Sequence, residues 1–303
     1  MRPAPARKRK MAAGPSECTQ LRFRRFRAEL EGRAVEFWAS AEEEDILVPH
    51  EAATRGADED EEVEDLALDA SSYVSGEGDD WAENLRCGNV YDAVPALAAR
   101  LLGALRRPPW SAAAAAAGAV EGACGAADCR RAKVLELGAG MGLPGLRAAL
   151  GGADVVLSDY HPGVLQLLRL NARANGFLDA TTAAAEAAGG TLEGGRCEVR
   201  RLAWGQQGAI EEASWLHGFD FVAAADVLYY QEGVRPLLET ACAALAASGV
   251  LLLAFKHRGI VDPAYVLDAA TSLGLRLVLR EGDESASVAR GEIVVWEFHP
   301  VAA

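Results

Sequence analysis

Three hundred and three residues, half of them hydrophobic, can hold one large or two small domains around a sizeable core. The formal net charge of −14 argues against general nucleic-acid affinity, because phosphate binding needs a basic face. Six scattered cysteines without C-x-x-C spacing indicate neither a disulfide frame nor a zinc site, and no apolar run reaches the length of a membrane span.

The charge is uneven along the chain. Residues 1–33 are basic, with Arg7-Lys8-Arg9-Lys10 and then Arg22, Arg24, Arg25 and Arg27, whereas residues 42–80 are acidic with Arg55 as the one lysine or arginine. Residues 1–40 read as a basic tail in which the alternation of residues 34–38 makes a short hairpin strand. Residues 41–80 read as a low-complexity acidic linker, too poor in large apolar groups to offset the entropy of ordering. Such a segment attracts a basic partner surface or simply solubilises. No signal-peptide h-region follows the N-terminus, so a cytoplasmic protein is expected, with a nuclear or organellar destination through the basic segment as the alternative.

The third region, residues 81–303, carries the regular pattern. Leu97, Leu101, Leu102 and Leu105 recur at helical spacing and Pro108-Pro109 ends that helix. Residues 111–128 are a low-complexity insertion rich in alanine and glycine. Val134, Leu135 and Leu137 then form a short strand that opens into Gly138, Gly140 and Gly142 before Leu143, Pro144 and Gly145 start a helix. Strand, glycine turn and helix start together leave backbone N–H groups open to electron-rich ligand atoms.

Residues 154–159 form a second apolar run closed by Asp159, roughly twenty residues past the glycine turn, where a ribose-binding acid is expected. Two ribose hydroxyls need two acceptors, which a carboxylate supplies. Pro162 starts a helix buried through Val164, Leu165, Leu167 and Leu168 and stopped by Gly176. Residues 183–195 read as another loop, 198–203 as a third strand and 219–225 as a central parallel strand. A helix over 237–247, a strand over 250–255 and a helix capped by Asp262-Pro263 come next. Residues 275–280 and 292–298 read as antiparallel partners. The pattern predicts an open, doubly wound α/β domain, Rossmann-like, with seven strands, mostly parallel and finished by an antiparallel C-terminal hairpin.

Ligands of such a sheet bind beyond the carboxyl ends of the strands. Gly140, Gly142 and Gly145 alone would also satisfy the dinucleotide pattern G-x-G-x-x-G, and a nicotinamide-dependent oxidoreductase would use a similar turn and acid. No Y-x-x-x-K segment is present to handle a hydride. A non-catalytic module using the acidic segment for binding is the other alternative.

Glu136 joins the glycines into E-x-G-x-G-x-G, which resembles motif I of the class I S-adenosylmethionine-dependent methyltransferases. Three more motifs narrow the resemblance. Gly88-Asn89-Val90-Tyr91-Asp92-Ala93 with Leu97-Ala98 resembles the G-x-x-W-D-A-A-x-x-L-A segment of the protein-lysine methyltransferases of family 16, the methyltransferase-like 21 group. Leu202-Ala203-Trp204-Gly205 resembles its L-x-W-G, and Asp226-Val227-Leu228-Tyr229 its D-x-x-Y. The resemblance covers residues 85–300 and departs at Tyr91, where the family usually has tryptophan.

It implies a seven-strand fold, S-adenosyl-L-methionine as cofactor and a lysine of a non-histone protein as methyl acceptor. Cofactor contacts would come from Tyr91, Glu136, Gly138, Gly140, Gly142, Asp159, Trp204 and Ala225. Trp204 is left open between flanking the adenine and filling the core. Asp226 would accept a hydrogen bond from the substrate amine while Tyr229 offers an aromatic wall and a hydroxyl. Another nitrogen nucleophile or a small molecule is the alternative acceptor. A monomer with a protein substrate, and with neither nucleic acid nor membrane as partner, is expected. Lys256, His257 and Arg258 read as a solvated loop, and Asn171 and Asn175 as caps or surface residues.

Overall fold

The computed structural model describes residues 20–40, 53–54, 63–67, 93–106, 131–177, 195–205, 214–278 and 288–301. Within them run strands β1 (Gln20–Leu30), β2 (Arg33–Ser40), β3 (Ala53–Thr54) and β4 (Val63–Ala67), then helix α1 (Ala93–Leu105). The chain continues through β5 (Lys133–Leu137), α2 (Leu143–Leu150), β6 (Asp154–Asp159), α3 (Pro162–Ala174), β7 (Arg196–Arg201) and β8 (Phe219–Ala225). A short 3-10 turn, Gln231–Gly233, leads into α4 (Val234–Ala244), β9 (Leu245–Lys256), α5 (Pro263–Ser272), β10 (Leu275–Val278) and β11 (Ile293–Pro300).

Seven strands form one sheet in the order β10-β11-β9-β8-β5-β6-β7. The pairs β5–β6, β5–β8, β6–β7 and β8–β9 are parallel, and β11 runs antiparallel to both β9 and β10. This is the doubly wound sheet with a reversed last strand that the sequence predicts. Its chain direction switches sides at β5, which has β6 on one flank and β8 on the other. A crevice opens at such a switch point.

The strands read as continuous apolar runs because both faces are covered. Side chains alternate between two cores. Val134, Val155, Leu157, Leu252 and Ala254 meet Leu97, Leu101, Leu146 and Leu168 of α1, α2 and α3. Leu135, Leu137, Val222, Leu251 and Leu253 meet Leu237, Leu238 and Val266 of α4 and α5 on the other face. Asp220, buried at the start of β8, accepts the Lys133 N–H at 2.8 Å and aligns the two central strands.

Several boundaries differ from the sequence reading, two of them for a clear reason. The helix expected over 237–247 ends at Ala244, and β9 begins at once at Leu245 because Leu245 pairs with Phe219 of β8. The third strand lies at Arg196–Arg201, earlier than residues 198–203, where it pairs with β6 in full register. Asp262 caps α5 through the Ala264 N–H at 2.9 Å, as Asp-Pro predicts.

The N-terminal hairpin is longer than the short strand expected. β1 and β2 pair from Phe23↔Ser40 to Leu30↔Arg33 around a two-residue turn in which Glu31 and Gly32 both have positive φ, 50° and 72°. Within the acidic stretch, β3 and β4 pair antiparallel with β1. The hairpin is fastened to the sheet's helices. Leu30, Val35 and Phe37 enter the core beside α2 and α3, each such burial being worth roughly 1.5–3 kcal/mol. Arg147 of α2 donates to the Leu30 carbonyl at 2.6 Å and to the Glu31 carbonyl at 3.0 Å. Asn175, the residue that ends α3, accepts the Glu36 N–H at 3.0 Å and donates to the Glu36 carbonyl at 2.6 Å.

Candidate active site

The chain leaves β5 through a loop in which Gly138, Gly140 and Gly142 have φ of 60°, 55° and 75°. A side chain at Gly138 would put its Cβ 2.9 Å from both Trp204 Cζ2 and Val227 Cγ1, so glycine lets those two residues close over the loop. The loop is fixed from outside. Ala139 N–H donates to the Ser158 carbonyl at 2.9 Å, and the buried Asn171 amide of α3 donates to the Met141 carbonyl at 3.0 Å. Asn171 is thus neither a cap nor a surface residue; it ties α3 to the glycine loop.

Glu136 lies beneath the loop, 2% exposed, with Oε2 accepting the Gly145 N–H of the first turn of α2 at 2.8 Å. Gly145 is required there, since a Cβ would sit 2.6 Å from that oxygen and 2.4 Å from Leu157 Cδ2. Burial raises the Glu136 carboxyl from 4.5 to about 8, and the single backbone bond offsets only part of that effect.

Asp159 closes β6 and reaches across the loop. Its Oδ1 accepts the His161 N–H at 3.0 Å and its Oδ2 accepts the Gly140 N–H at 3.4 Å. Burial raises this carboxyl above its ordinary range, against the lowering effect of the backbone donors. His161 caps α3, its Nδ1 accepting from Gly163 N–H at 3.1 Å and Val164 N–H at 3.4 Å; burial lowers its pKa. A ring nitrogen that accepts at Nδ1 is deprotonated there, so His161 holds the turn after Asp159 as a neutral imidazole.

These groups line a cavity of about 580 Å³, within the range of sites for small molecules and cofactors. Glu136, Gly138, Gly140, Gly142 and Asp159 form one wall; Trp204, Ala225 and Tyr229 belong to the rest. Trp204 packs partly on the second core and also lines the cavity. Its loop is held by the Gly205 N–H on Thr240 Oγ1 at 3.3 Å, while Thr240 donates to the Pro236 carbonyl at 2.8 Å. Tyr91 lies outside the described residues, as do the other residues of its motif before Ala93.

Asp226 stands at the end of β8 but does not line the cavity. Its side chain is buried, Oδ1 and Oδ2 accept from Arg258 Nη1 and Nη2 at 2.5 and 2.7 Å, and Oδ1 also accepts the Lys256 N–H at 3.2 Å. The amine-accepting role expected of Asp226 therefore meets a carboxylate already committed to a guanidinium. Of the D-x-x-Y motif, Val227 and Tyr229 line the cavity, Tyr229 half exposed at its mouth. Arg258, read from the sequence as part of a solvated loop, is the partner of the motif's acid.

Two further tyrosines share the mouth: Tyr160 and Tyr230, 51% and 72% exposed. Each directly follows a residue singled out in the sequence, Asp159 and Tyr229. Their position just past the end of β6 and shortly after β8 was the available signal.

The cavity fits S-adenosyl-L-methionine. Gly140 has open space where a Cβ would stand, so backbone faces the cavity there. Asp159 brings acceptor oxygens to the cavity at the end of β6, and the walls combine apolar surface with a few fixed polar groups.

Comparison with known proteins agrees with this geometry. The lysine methyltransferase family model matches residues 107–269. "EEF1A lysine methyltransferase 3" of Mus musculus is 34% identical over 131 residues, 43% of this chain and 48% of the relative. "Protein N-lysine methyltransferase METTL21A" is 34% identical over 129 residues in Xenopus tropicalis, covering 43% of this chain and 51% of the relative. The Danio rerio protein of that name is 29% identical over 147 residues, 48% of this chain and 58% of the relative. The chain thus spans about half the length of the curated relatives it matches. With more than half of its residues under the family model, and with a glycine loop and carboxylates shaped for S-adenosyl-L-methionine as cofactor, this chain belongs to the lysine methyltransferase family.

Proposed function

We propose that this chain transfers a methyl group from S-adenosyl-L-methionine to the side-chain amine of a lysine in a non-histone protein. The observation that carries the reading is a single cavity with two unlike walls. The glycine loop with Asp159 forms one, and Val227, Tyr229 and Tyr230 contribute to the other. The names of the relatives, all lysine methyltransferases, support a protein lysine as acceptor.

When bound, the cofactor supplies an electrophilic methyl carbon on a sulfonium. The residues of the chain have three tasks. The glycine loop and Asp159 hold a nucleoside-bearing ligand, with Trp204 and Val227 closing over Gly138. The mouth must align an amine about 3 Å from the methyl carbon, which converts a bimolecular encounter into an oriented one. It must also favour the neutral amine, because a lysine ammonium has no lone pair and an unperturbed pKa of about 10.4.

Desolvation among apolar and aromatic side chains lowers a lysine pKa. Tyr229 offers the incoming amine a hydroxyl, and the aromatic surface of Tyr160, Tyr229 and Tyr230 attracts the substituted ammonium that forms.

The test is transfer from labelled S-adenosylmethionine into a cell lysate, with Asp159→Ala as control and mass spectrometry of any labelled protein. Wild type is expected to place methyl groups on lysine, and Asp159→Ala to lose both labelling and cofactor binding. Normal cofactor binding with label found only on small molecules, or on residues other than lysine, would overturn the proposal.

A further inference from the structure

We propose that Arg258 is a positioning residue for methyl transfer, holding residues 226–233 and the cavity wall they build through its two-pronged bond to the buried Asp226 carboxylate. The inference rests on the function proposed above and adds a residue to its machinery.

The chain turns sharply where β8 ends. Asp226 has φ of 55°, one of two non-glycine residues with positive φ among the described residues. A β-carbon is strained in that region, so the surroundings must hold it there. The backbone is pinned by the Asp226 N–H on the Ala254 carbonyl at 2.7 Å. The side chain is pinned by three donors, two from Arg258 and one from the Lys256 N–H.

Beyond the turn lies the cavity wall. Val227, Tyr229, Tyr230 and Gly233 all line the cavity, whereas Asp226 does not. Val227 approaches the glycine loop closely enough to exclude a Cβ at Gly138, so a small rotation at Asp226 moves Val227 against one wall and Tyr229 across the mouth. The angle of the turn therefore sets the distance between the two walls.

Arg258 stands on firm ground for this task. It lies just past the end of β9, and the adjacent His257 is bound on both sides: its N–H donates to the Glu292 carbonyl at 2.8 Å and its carbonyl accepts the Gly291 N–H at 2.7 Å. A guanidinium grips a carboxylate with two parallel bonds, which fixes orientation as well as distance; an ammonium makes a point contact and fixes neither. Arg258 does not line the main cavity and acts through Asp226 and the loop.

The test compares wild type with Arg258→Ala, Arg258→Lys and the double variant Asp226→Asn/Arg258→Met, all as full chains. The double variant removes the buried charge together with its partner, which guards against loss of folding. Transfer from labelled S-adenosylmethionine into the lysate acceptor is measured at saturating cofactor, and cofactor binding by calorimetry. Arg258→Ala and the double variant are expected to transfer on the order of 100-fold more slowly, with cofactor affinity weakened far less than the rate. Arg258→Lys is expected to recover part of the rate. Millimolar guanidinium is expected to raise the rate of Arg258→Ala and leave wild type unaffected.

A double variant that binds cofactor and transfers at the wild-type rate overturns the proposal. So does a loss of rate in Arg258→Ala matched by loss of cofactor affinity and untouched by guanidinium. Failure of the wild type itself to label any lysine would instead refute the function on which the inference rests.

Discussion

Replacing Glu136 with glutamine is expected to flatten the pH dependence of stability between about pH 4.5 and pH 8. Glu136 is 2% exposed under the glycine loop, and the bond it accepts from Gly145 N–H only partly compensates its burial. Its carboxyl is raised from 4.5 to about 8, so the folded chain binds this proton more tightly than the unfolded chain does. Protonation therefore stabilises the fold. The stabilisation is fully present below the unfolded value of about 4.5, declines as pH rises, and is lost above about 8. At about 1.4 kcal/mol per pH unit, the rise amounts to something on the order of 5 kcal/mol. That is a large share of the 5–15 kcal/mol by which an ordinary domain is stable, roughly. Glutamine keeps an oxygen for the Gly145 N–H and never ionises, so the variant should lack this slope. Urea unfolding without cofactor, at about pH 5, pH 7 and pH 9, makes the comparison. The Glu136→Gln variant should gain on wild type at each alkaline step, other groups cancelling between the two. Parallel curves for wild type and variant would refute the argument that burial dominates this carboxyl.

Two smaller perturbations probe the same loop and its support. Gly138→Ala is expected to cost about 1–3 kcal/mol, since the Cβ meets Trp204 and Val227 at 2.9 Å with φ at 60°. A thermal melt reads the cost, and calorimetry should show weaker cofactor binding because the cavity wall must shift. Asn175→Ala leaves the N–H and the carbonyl of Glu36 without their amide partner, for about 1–3 kcal/mol. Faster amide exchange across residues 33–37, with the central strands still protected, is the expected signature; unchanged exchange there would mean the hairpin is held by its apolar contacts alone.

What could be read from the sequence was what short-range chemistry writes. The central strands alternate with period two between two cores, the glycine loop follows a strand by necessity, and Pro162 and Pro263 mark helix starts through fixed φ. The cavity's glycines, Glu136, Asp159, Trp204, Ala225 and Tyr229 follow from such local patterns and the family resemblance, and they line one space. What stayed hidden depends on partners far along the chain. Asn175 meets Glu36 across 139 residues and Arg258 meets Asp226 across 32, and no local periodicity signals either pairing. The extent of the hairpin was hidden for the same reason: its docking relies on Arg147 and Asn175, which read on their own as ordinary helical residues. The helix end at Ala244 departs from the local pattern because Ala-Ala-Leu-Ala-Ala favours helix, and only the pairing of Leu245 with Phe219 turns it into strand.

Three acids end three strands of this sheet, Glu136 near the end of β5, Asp159 on β6 and Asp226 just past β8, and a motif pattern treats them alike. Their donors separate them. Glu136 and Asp159 accept from backbone N–H groups of the loop and the helix starts, and burial raises both carboxyls above their ordinary range. Each lines the cavity, and an oxygen held by one N–H keeps lone pairs for a ligand donor. Asp226 instead has a guanidinium on both oxygens and lies outside the cavity. A carboxylate neutralised in this way gains little from a second cation, and exchanging Arg258 for a lysine would sacrifice a two-pronged bond for a single contact. The same residue type at the same kind of strand end thus does different work. Backbone donors leave Glu136 and Asp159 available to a ligand, and a charged partner makes Asp226 part of the frame that aims Tyr229.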